Sequence, residues 1–318
     1  MNVLITGGTG SLGKALASKL VERSDVSKVM IFSRDELKQH DMRDMFRGCA
    51  KLRWMLGDVR DLDRVKRAFH GVDYVIHAAA LKQVPAAEYN PFEFVKTNVL
   101  GSQNVVEAAI DCGVRRVIAL STDKASSPIN LYGATKLCAD KLFIDGNNYC
   151  DKTTRMAVVR YGNVIGSRGS VIPVFKALVD GGAHLLPVTS MDMTRFWISL
   201  GEAADFVLEC LLNKMTGGET FIPKIPSGKM SDLVKAFGLG HYELGLRPGE
   251  KMHEEMIPEH LGMQTVDHGD CYAIEPSWYV SKNTKSAMGR GFSYNSQTNE
   301  NWLSVEDFKR IIEEMRCK

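Results

Sequence analysis

The stretch VLITGGTGSLGKAL, residues 3–16, sets an apolar β-branched run directly against Gly7, Gly10 and Gly13 and then a run of helix formers. Few folds are open to a chain that leaves its first strand through such a turn. Glycines at that spacing let backbone approach a phosphate, while the following helix N-terminus supplies aligned N–H groups and partial positive charge. The same rhythm continues: KVMIFS, LRWMLGDV, YVIHAA, RRVIALST and RMAVVRYGN are separated by segments such as SLGKALASKLVER and GSQNVVEAAIDCG. This alternation predicts βαβ units and an α/β fold, a doubly wound parallel (Rossmann) sheet over residues 1–163. Gly- and Pro-rich pieces such as IPKIPSGKM and LRPGEKMHEE then break the rhythm, predicting a smaller irregular α+β substrate-binding domain over residues 164–318. The apolar stripe of LGEAADFVLECLLNK marks a helix near 202–214 expected to pack back on the first domain.

Composition narrows the partners. Forty basic residues against thirty-eight acidic ones give a formal charge of +2, with no long run of either sign to meet nucleic acid or a membrane surface. The seven cysteines (49, 112, 138, 150, 210, 271 and 317) show no CxxC pair or metal-ligand spacing, so reduced thiols and no metal are expected. MNVLITGG starts a strand, and no window approaches the ~18 apolar residues of a membrane span. A soluble, cytoplasmic protein is the expectation.

A dinucleotide on the turn would meet Gly7, Thr9, Gly10, Ser11, Leu12 and Gly13. At the end of the second strand an NAD enzyme usually carries an acid for the ribose 2′-hydroxyl. Here Ser33 and Arg34 stand there, with Lys38 following. A hydroxyl, a guanidinium and an amine suit the 2′-phosphate of NADP; Asp35, one residue on, leaves a ribose contact open. Asp58, beside Val59, suits either an adenine amino group or the N-cap of RDLDRVKRAF. Ala78, Ala79 and Ala80 allow close approach of the nicotinamide ribose, or simply close packing.

RRVIALS reads as the fifth strand, which puts Thr122, Asp123 and Lys124 at its carboxyl end, the edge where open α/β sheets hold ligands. Tyr132 and Lys136 follow at i and i+4 on one helix face. A phenol with a pKa of about 10 is a poor base at neutral pH, and an adjacent ammonium favours its phenolate. Work by the pair as a general acid and a general base would demand a protonated Asp123 and a neutral Lys124, whereas neighbouring opposite charges favour the ionised pair. Successive strand residues also face opposite ways, so the strand has to end by Thr122. A solvated ion pair is the plain alternative.

ALSTDKASSPINLYGATK (119–136), with HAAALKQVPAAEYNPFEFVKTNVLGSQNV, VRYGNVIGSRGSVIP, TRFWIS and RPGEKMHEEM, resembles the extended short-chain dehydrogenase/reductases over nearly the whole chain. Within them it is similar to the inverting UDP-N-acetylglucosamine 4,6-dehydratases that begin pseudaminic acid synthesis. The resemblance implies a lyase using NADP on UDP-N-acetylglucosamine. Tyr132 would take the 4-hydroxyl proton, Thr122 hold the sugar, Lys136 hold ribose and tyrosine charge, Lys124 remove the C5 proton and Asp123 protonate the departing 6-hydroxyl. Asn98 and Lys82 would join the cofactor site, and Lys82 the sugar. Arg160, Asn163, Arg168, Arg195, Arg247 and Lys251 offer donors for a pyrophosphate. Asn163 and the Arg168-Gly169-Ser170 loop would line the nucleotide, and Arg247 and Glu250 hold uridine. His77 and His253 are given no role. Relatives associate through helices at Val99–Ala109 and Tyr132–Phe143, implying a homo-oligomer, dimer or hexamer. A UDP-sugar 4-epimerase, or a silent NADP-binding sensor or scaffold, remains the alternative; the acid–amine pair argues against both.

Overall fold

The computed structural model describes residues 1–150, 153–278 and 287–315; Cys317 lies outside them. The alternating half forms β1 (Asn2–Thr6), α1 (Ser11–Glu22), β2 (Lys28–Ser33), α2 (Glu36–Met45), β3 (Leu52–Leu56), α3 (Leu62–Phe69) and β4 (Tyr74–His77). It continues as α4 (Val84–Tyr89), α5 (Pro91–Phe94), α6 (Gly101–Asp111), β5 (Arg116–Thr122), α7 (Leu131–Tyr149) and β6 (Arg155–Tyr161). These strands pair in parallel in the order β3-β2-β1-β4-β5-β6. The winding reverses between β1 and β4, and in such sheets ligands gather at the strands' carboxyl ends beside the reversal.

Alternation along each strand assigns two faces. Val3, Ile5, Ile31, Ile76 and Ile118 pack with Leu16, Ala17 and Leu20 of α1. Leu4, Phe32, Val75, Val117 and Val158 meet Val65, Phe69, Val105, Val106 and Phe143 from α3, α6 and α7. All are buried. A large side chain buried this fully contributes about 1.5–3 kcal/mol, so the two-sided sheet is the main source of stability.

After β6 come β7 (Asn163–Val164), α8 (Val171–Asp180), β8 (Leu185–Val188), β9 (Thr194–Ile198), α9 (Leu200–Glu209), β10 (Thr220–Pro223) and β11 (Ser227–Lys229). The chain ends through α10 (Met230–Phe237), β12 (Gly240–Glu243), β13 (Glu255–Ile257), β14 (Thr265–Asp267), β15 (Cys271–Ile274), β16 (Tyr294–Asn295) and α11 (Val305–Glu314). Several of these return to the large sheet. β10 adds to β6 in parallel, and β15 and then β14 follow antiparallel, completing nine strands. Helix α9 starts with a capping box between Ser199 and Glu202 and lies along α1, its Ala203, Ala204 and Val207 sharing α1's core. Lys19 and Asp205 pair across the two helices at 2.7 Å. The remaining elements enclose a smaller core of Ile172, Phe175, Leu186, Trp197, Leu233 and Phe308. Among the described residues no helix is long and apolar enough to cross a membrane.

Candidate active site

The glycine turn is shaped by backbone contact. A Cβ on Gly13 would lie 2.4 Å from the Gly8 carbonyl oxygen, so only glycine lets α1 sit this close to the turn. Gly10 caps α1 without any side-chain hydrogen bond, and the first turn holds no acid. The helix end therefore keeps its partial positive charge and fits a dinucleotide pyrophosphate. Ser11 Oγ accepts from the Arg168 N–H at 3.4 Å, laying the 168–170 loop over this end. Thr9 is buried beside it.

At the end of β2, Ser33 is buried and its Oγ accepts from Gln39 Nε2 at 3.1 Å. The exposed Arg34 lies 3.6 Å from Asp58. Asp35 is engaged elsewhere: it caps α2 and holds Lys38 at 2.6 Å. Asp58 also takes the Arg60 side chain, and α3 is capped by Asp61, which removes the capping role considered for Asp58. Val59 is core. Ala78 and Ala79 lie against the glycine turn, with the Ala79 N–H donating to Thr6 Oγ1 at 3.3 Å; Ala80 is exposed. The Asn98 amide is fully occupied in pinning Leu81 and Thr135. His77 sits between Thr6 at 2.8 Å and Ser102 at 3.3 Å, and burial, helped by Lys136, pushes its pKa down to about 3. It is a neutral core imidazole.

The strand ends where elimination requires. β5 stops at Thr122, and Asp123–Ala125 form a short 3₁₀ turn, so adjacent side chains no longer alternate. Asn130 caps α7 by accepting from the Gly133 N–H at 2.8 Å, and its Nδ2 donates to the Gly249 carbonyl at 2.8 Å. A Cβ on Gly133 would stand 2.1 Å from the Lys124 carbonyl oxygen. That glycine lets α7 press Tyr132 against the turn.

Burial pushes the Tyr132 phenol up to about 12, while the charge of Lys124 and a hydrogen bond with Thr122 pull it down. Burial lowers the Lys136 ammonium below its ordinary range, and Asp140 works against that fall. Asp140 itself accepts from Ser121 Oγ at 2.7 Å and pairs with Arg160 at 3.2 Å.

Lys124 is the electrostatic centre. Its Nζ lies 3.1 Å from Asp123 Oδ1 and 3.1 Å from Glu254 Oε1. Burial opposes its charge, but the two carboxylates overcome that and hold the ammonium above the ordinary lysine range. Asp123 is 0% and Glu254 2% exposed, whereas Lys124 keeps 26% of its side chain open. Lys124 is thus the member of the cluster whose side chain keeps some exposure. Thr122 Oγ1 donates to Asp123 Oδ1 at 2.9 Å.

The proposed sugar-nucleotide donors divide by direction. Lys82 Nζ donates to the Arg168 carbonyl at 3.2 Å, so both belong to the rim, with Gly169 and Ser170 continuing the loop into α8. Asn163 stands in β7 beside β9. Arg247 is exposed and 3.6 Å from Glu250, which also reaches Arg195 at 3.6 Å. Lys251 donates to the Ser126 carbonyl at 2.7 Å, tying this rim to the catalytic turn. Arg160 points inward: it is 4% exposed and donates to the Met256 carbonyl as well as pairing with Asp140. Arg195 is also buried, its donors spent on the carbonyls of Thr194, Lys251 and Met252.

Sequence reasoning missed Glu254. The acids of HEEM were visible, but which of them turns inward depends on pairing between distant segments. Thr194 bridges to His253, with Oγ1 2.8 Å from Nδ1, while the next residues, Arg195 and Glu254, meet on the other side at 3.9 Å. Asp140 was missed too, although its place at i+4 from Lys136 was a readable signal.

A parallel sheet wound about a glycine turn and serving a tyrosine–lysine helix is the build of the extended short-chain dehydrogenase/reductases. Comparison narrows this further. The chain belongs to the polysaccharide biosynthesis protein family, which matches residues 3–276. It is 50% identical to a Campylobacter jejuni protein named UDP-N-acetylglucosamine 4,6-dehydratase (inverting), over 98% of this chain and 97% of that one. It is 43% identical to a UDP-glucose 4-epimerase of Rickettsia canadensis, over 98% and 94%. The X-ray structure of Pen from Bacillus thuringiensis superposes with a TM-score of 0.90 at 37% identity, covering 100% of this chain and 98% of that one.

Proposed function

We infer that this chain is a UDP-N-acetylglucosamine 4,6-dehydratase, a hydro-lyase that inverts C5 and yields a UDP-2-acetamido-2,6-dideoxy-hexos-4-ulose. The observation that carries the reading is the Asp123–Lys124 pair, held beneath Tyr132 at a strand end, in a chain half identical to a protein of that name. An epimerase needs the tyrosine but not this pair.

A nicotinamide dinucleotide held at the Gly7–Gly13 turn would supply the hydride acceptor for C4 and the hydride donor for C6. The residues manage the protons. Tyr132 accepts the 4-hydroxyl proton, and Lys136 steadies the phenolate. Thr122 donates to Asp123 Oδ1 at 2.9 Å and helps to pull the Tyr132 pKa down, so it stands between the base and the acid of the scheme. The C4 ketone acidifies C5–H. Lys124 then takes the C5 proton as Asp123 delivers its own to the departing 6-hydroxyl, and water leaves. The proton lost from O4 is the one carried off in water, so Tyr132 and Asp123 are both reset.

The cofactor is NADP. Arg34 is exposed at the end of β2, and the neighbouring Asp35, the acid weighed for a ribose contact, is committed to α2 and Lys38. The pyrophosphate of the sugar nucleotide would meet the rim of Lys82, Arg168 and Arg247. The enzyme works in the cytoplasm at the head of pseudaminic acid synthesis. It assembles as a dimer or hexamer through the helices carrying Val99–Ala109 and Tyr132–Phe143, where Leu100 is 49% exposed.

Incubation with UDP-N-acetylglucosamine and NADP⁺, read by mass spectrometry and NMR, tests the reading. Loss of one water without net cofactor reduction is expected. An isomer of unchanged mass would make the chain an epimerase, and absence of turnover a sensor or scaffold.

A further inference from the structure

The resting cluster resists the chemistry just assigned. An amine acting as base at C5 has to be neutral, yet Lys124 lies between two buried carboxylates that favour its charge. Its extra proton needs a destination inside the site. Glu254 offers one. Among the described residues its Oε2 is buried with no hydrogen-bond partner, as is Asp123 Oδ2. A buried carboxylate oxygen left without a donor is costly, and protonation relieves that cost. Burial, and then the nearby Asp123 charge, raise the Glu254 pKa above the ordinary glutamate range, although Lys124 and Arg195 oppose the rise.

We propose that Glu254 is the proton-holding partner of Lys124: with the sugar bound, one proton passes from Nζ to the Glu254 carboxylate, leaving the amine free to act at C5. The inference rests on the dehydratase reading. In the transfer one N–H bond breaks, one O–H bond forms, and neither oxidation state nor the cluster's total charge changes. The C5–H bond then breaks, its proton joins the Nζ lone pair, and its electrons form the C5=C6 bond as the C6–O bond opens. Nζ then releases the C5 proton to solvent along its partly open side chain, one solvent proton enters the opposite face of C5, and Glu254 gives its own proton back to Lys124.

Glu254 touches neither sugar nor cofactor in this scheme and acts through Lys124, as a positioning residue. Asp123 and Lys124 face it from the turn after β5 and Arg195 from β9, with Glu250 behind Arg195. Tyr132 on α7 and Lys82 after β4 feel the same ammonium. An internal transfer of this kind consumes no solvent proton, so wild-type kcat should be nearly flat across neutral pH. Glu254→Gln keeps a hydrogen-bond acceptor beside Nζ but cannot hold the proton. Lys124 must then lose it to water, and kcat should fall about 100-fold near neutrality while rising up to about tenfold per pH unit above it.

The test is the pH profile of water loss, and of deuterium entry at C5 in D₂O, for wild type, E254Q and E254D. E254Q should keep KM within about threefold and E254D should restore the flat profile in part. The inference falls if E254Q matches wild type in rate and profile. It also falls if E254Q and E254D lose UDP binding, measured calorimetrically, or fail equally with an unchanged profile, since Glu254 would then only support packing. Failure of the wild type itself to release water would instead overturn the dehydratase reading on which the inference stands.

Discussion

The glycine turn after β1 and the charge cluster after β5 sit at the same edge of the sheet, with β4 between them, but are built in opposite ways. The turn is made from one continuous stretch, and its selectivity comes from atoms that are absent: no Cβ on Gly13, no side-chain cap on α1, no acid in the first turn. The cluster gathers Asp123 and Lys124 with Arg195 and Glu254, segments far apart in sequence, and its selectivity comes from charges that oppose one another. A site of the first kind tolerates almost no added bulk. A site of the second kind tolerates bulk better than any change in the count of protons.

Removing the cluster's amine should have the largest effect. Lys124→Ala is expected to lower water elimination by about 10³-fold or more while NADP⁺ affinity stays within about twofold. Mass spectrometry of the product and calorimetric titration of the cofactor read the two halves separately; a parallel loss of both would erase the contrast. Adding bulk to the turn is the converse test. Gly13→Val forces α1 away from Gly8, and NADP⁺ should bind about 10- to 100-fold more weakly.

The smallest effect concerns the floor between the two sites. His77 ends β4, and its folded pKa of about 3 lies below the ordinary 6.5. The unfolded chain therefore takes up a proton that the folded one refuses. The contribution to stability is complete above about pH 6.5 and is lost as pH falls toward 3, by about 1 kcal/mol per unit. His77→Gln should flatten that part of the pH dependence in urea unfolding, and an unchanged slope would show that His77 is not its source.

The contrast also explains what was legible in advance. The order of βαβ units, the turn at Gly7–Gly13, and Tyr132 with Lys136 all rest on spacing within a few residues, and spacing is what a sequence displays. Whether Asp123 and Lys124 share one side was decided by the end of β5 at Thr122, which TDKASSP foreshadowed. The inward turn of Arg160 and Arg195 was not legible, because an arginine reads the same whether its partner is a phosphate or a carbonyl far along the chain. Glu254 was hidden for the same reason: its neighbours come from the turn after β5 and from β9. Asp58 was the candidate read from the sequence to cap α3, but the backbone gives that place to Asp61.

Asn130 joins the start of the tyrosine helix to Gly249 on the nucleotide rim, and Lys251 stitches that rim to Ser126 a second time. On the proposed reading, grip on the uridine end would be transmitted as alignment at the hexose. A sugar phosphate stripped of its nucleoside should be handled slowly even at saturation, because the handle it lacks is also what tightens the jaws.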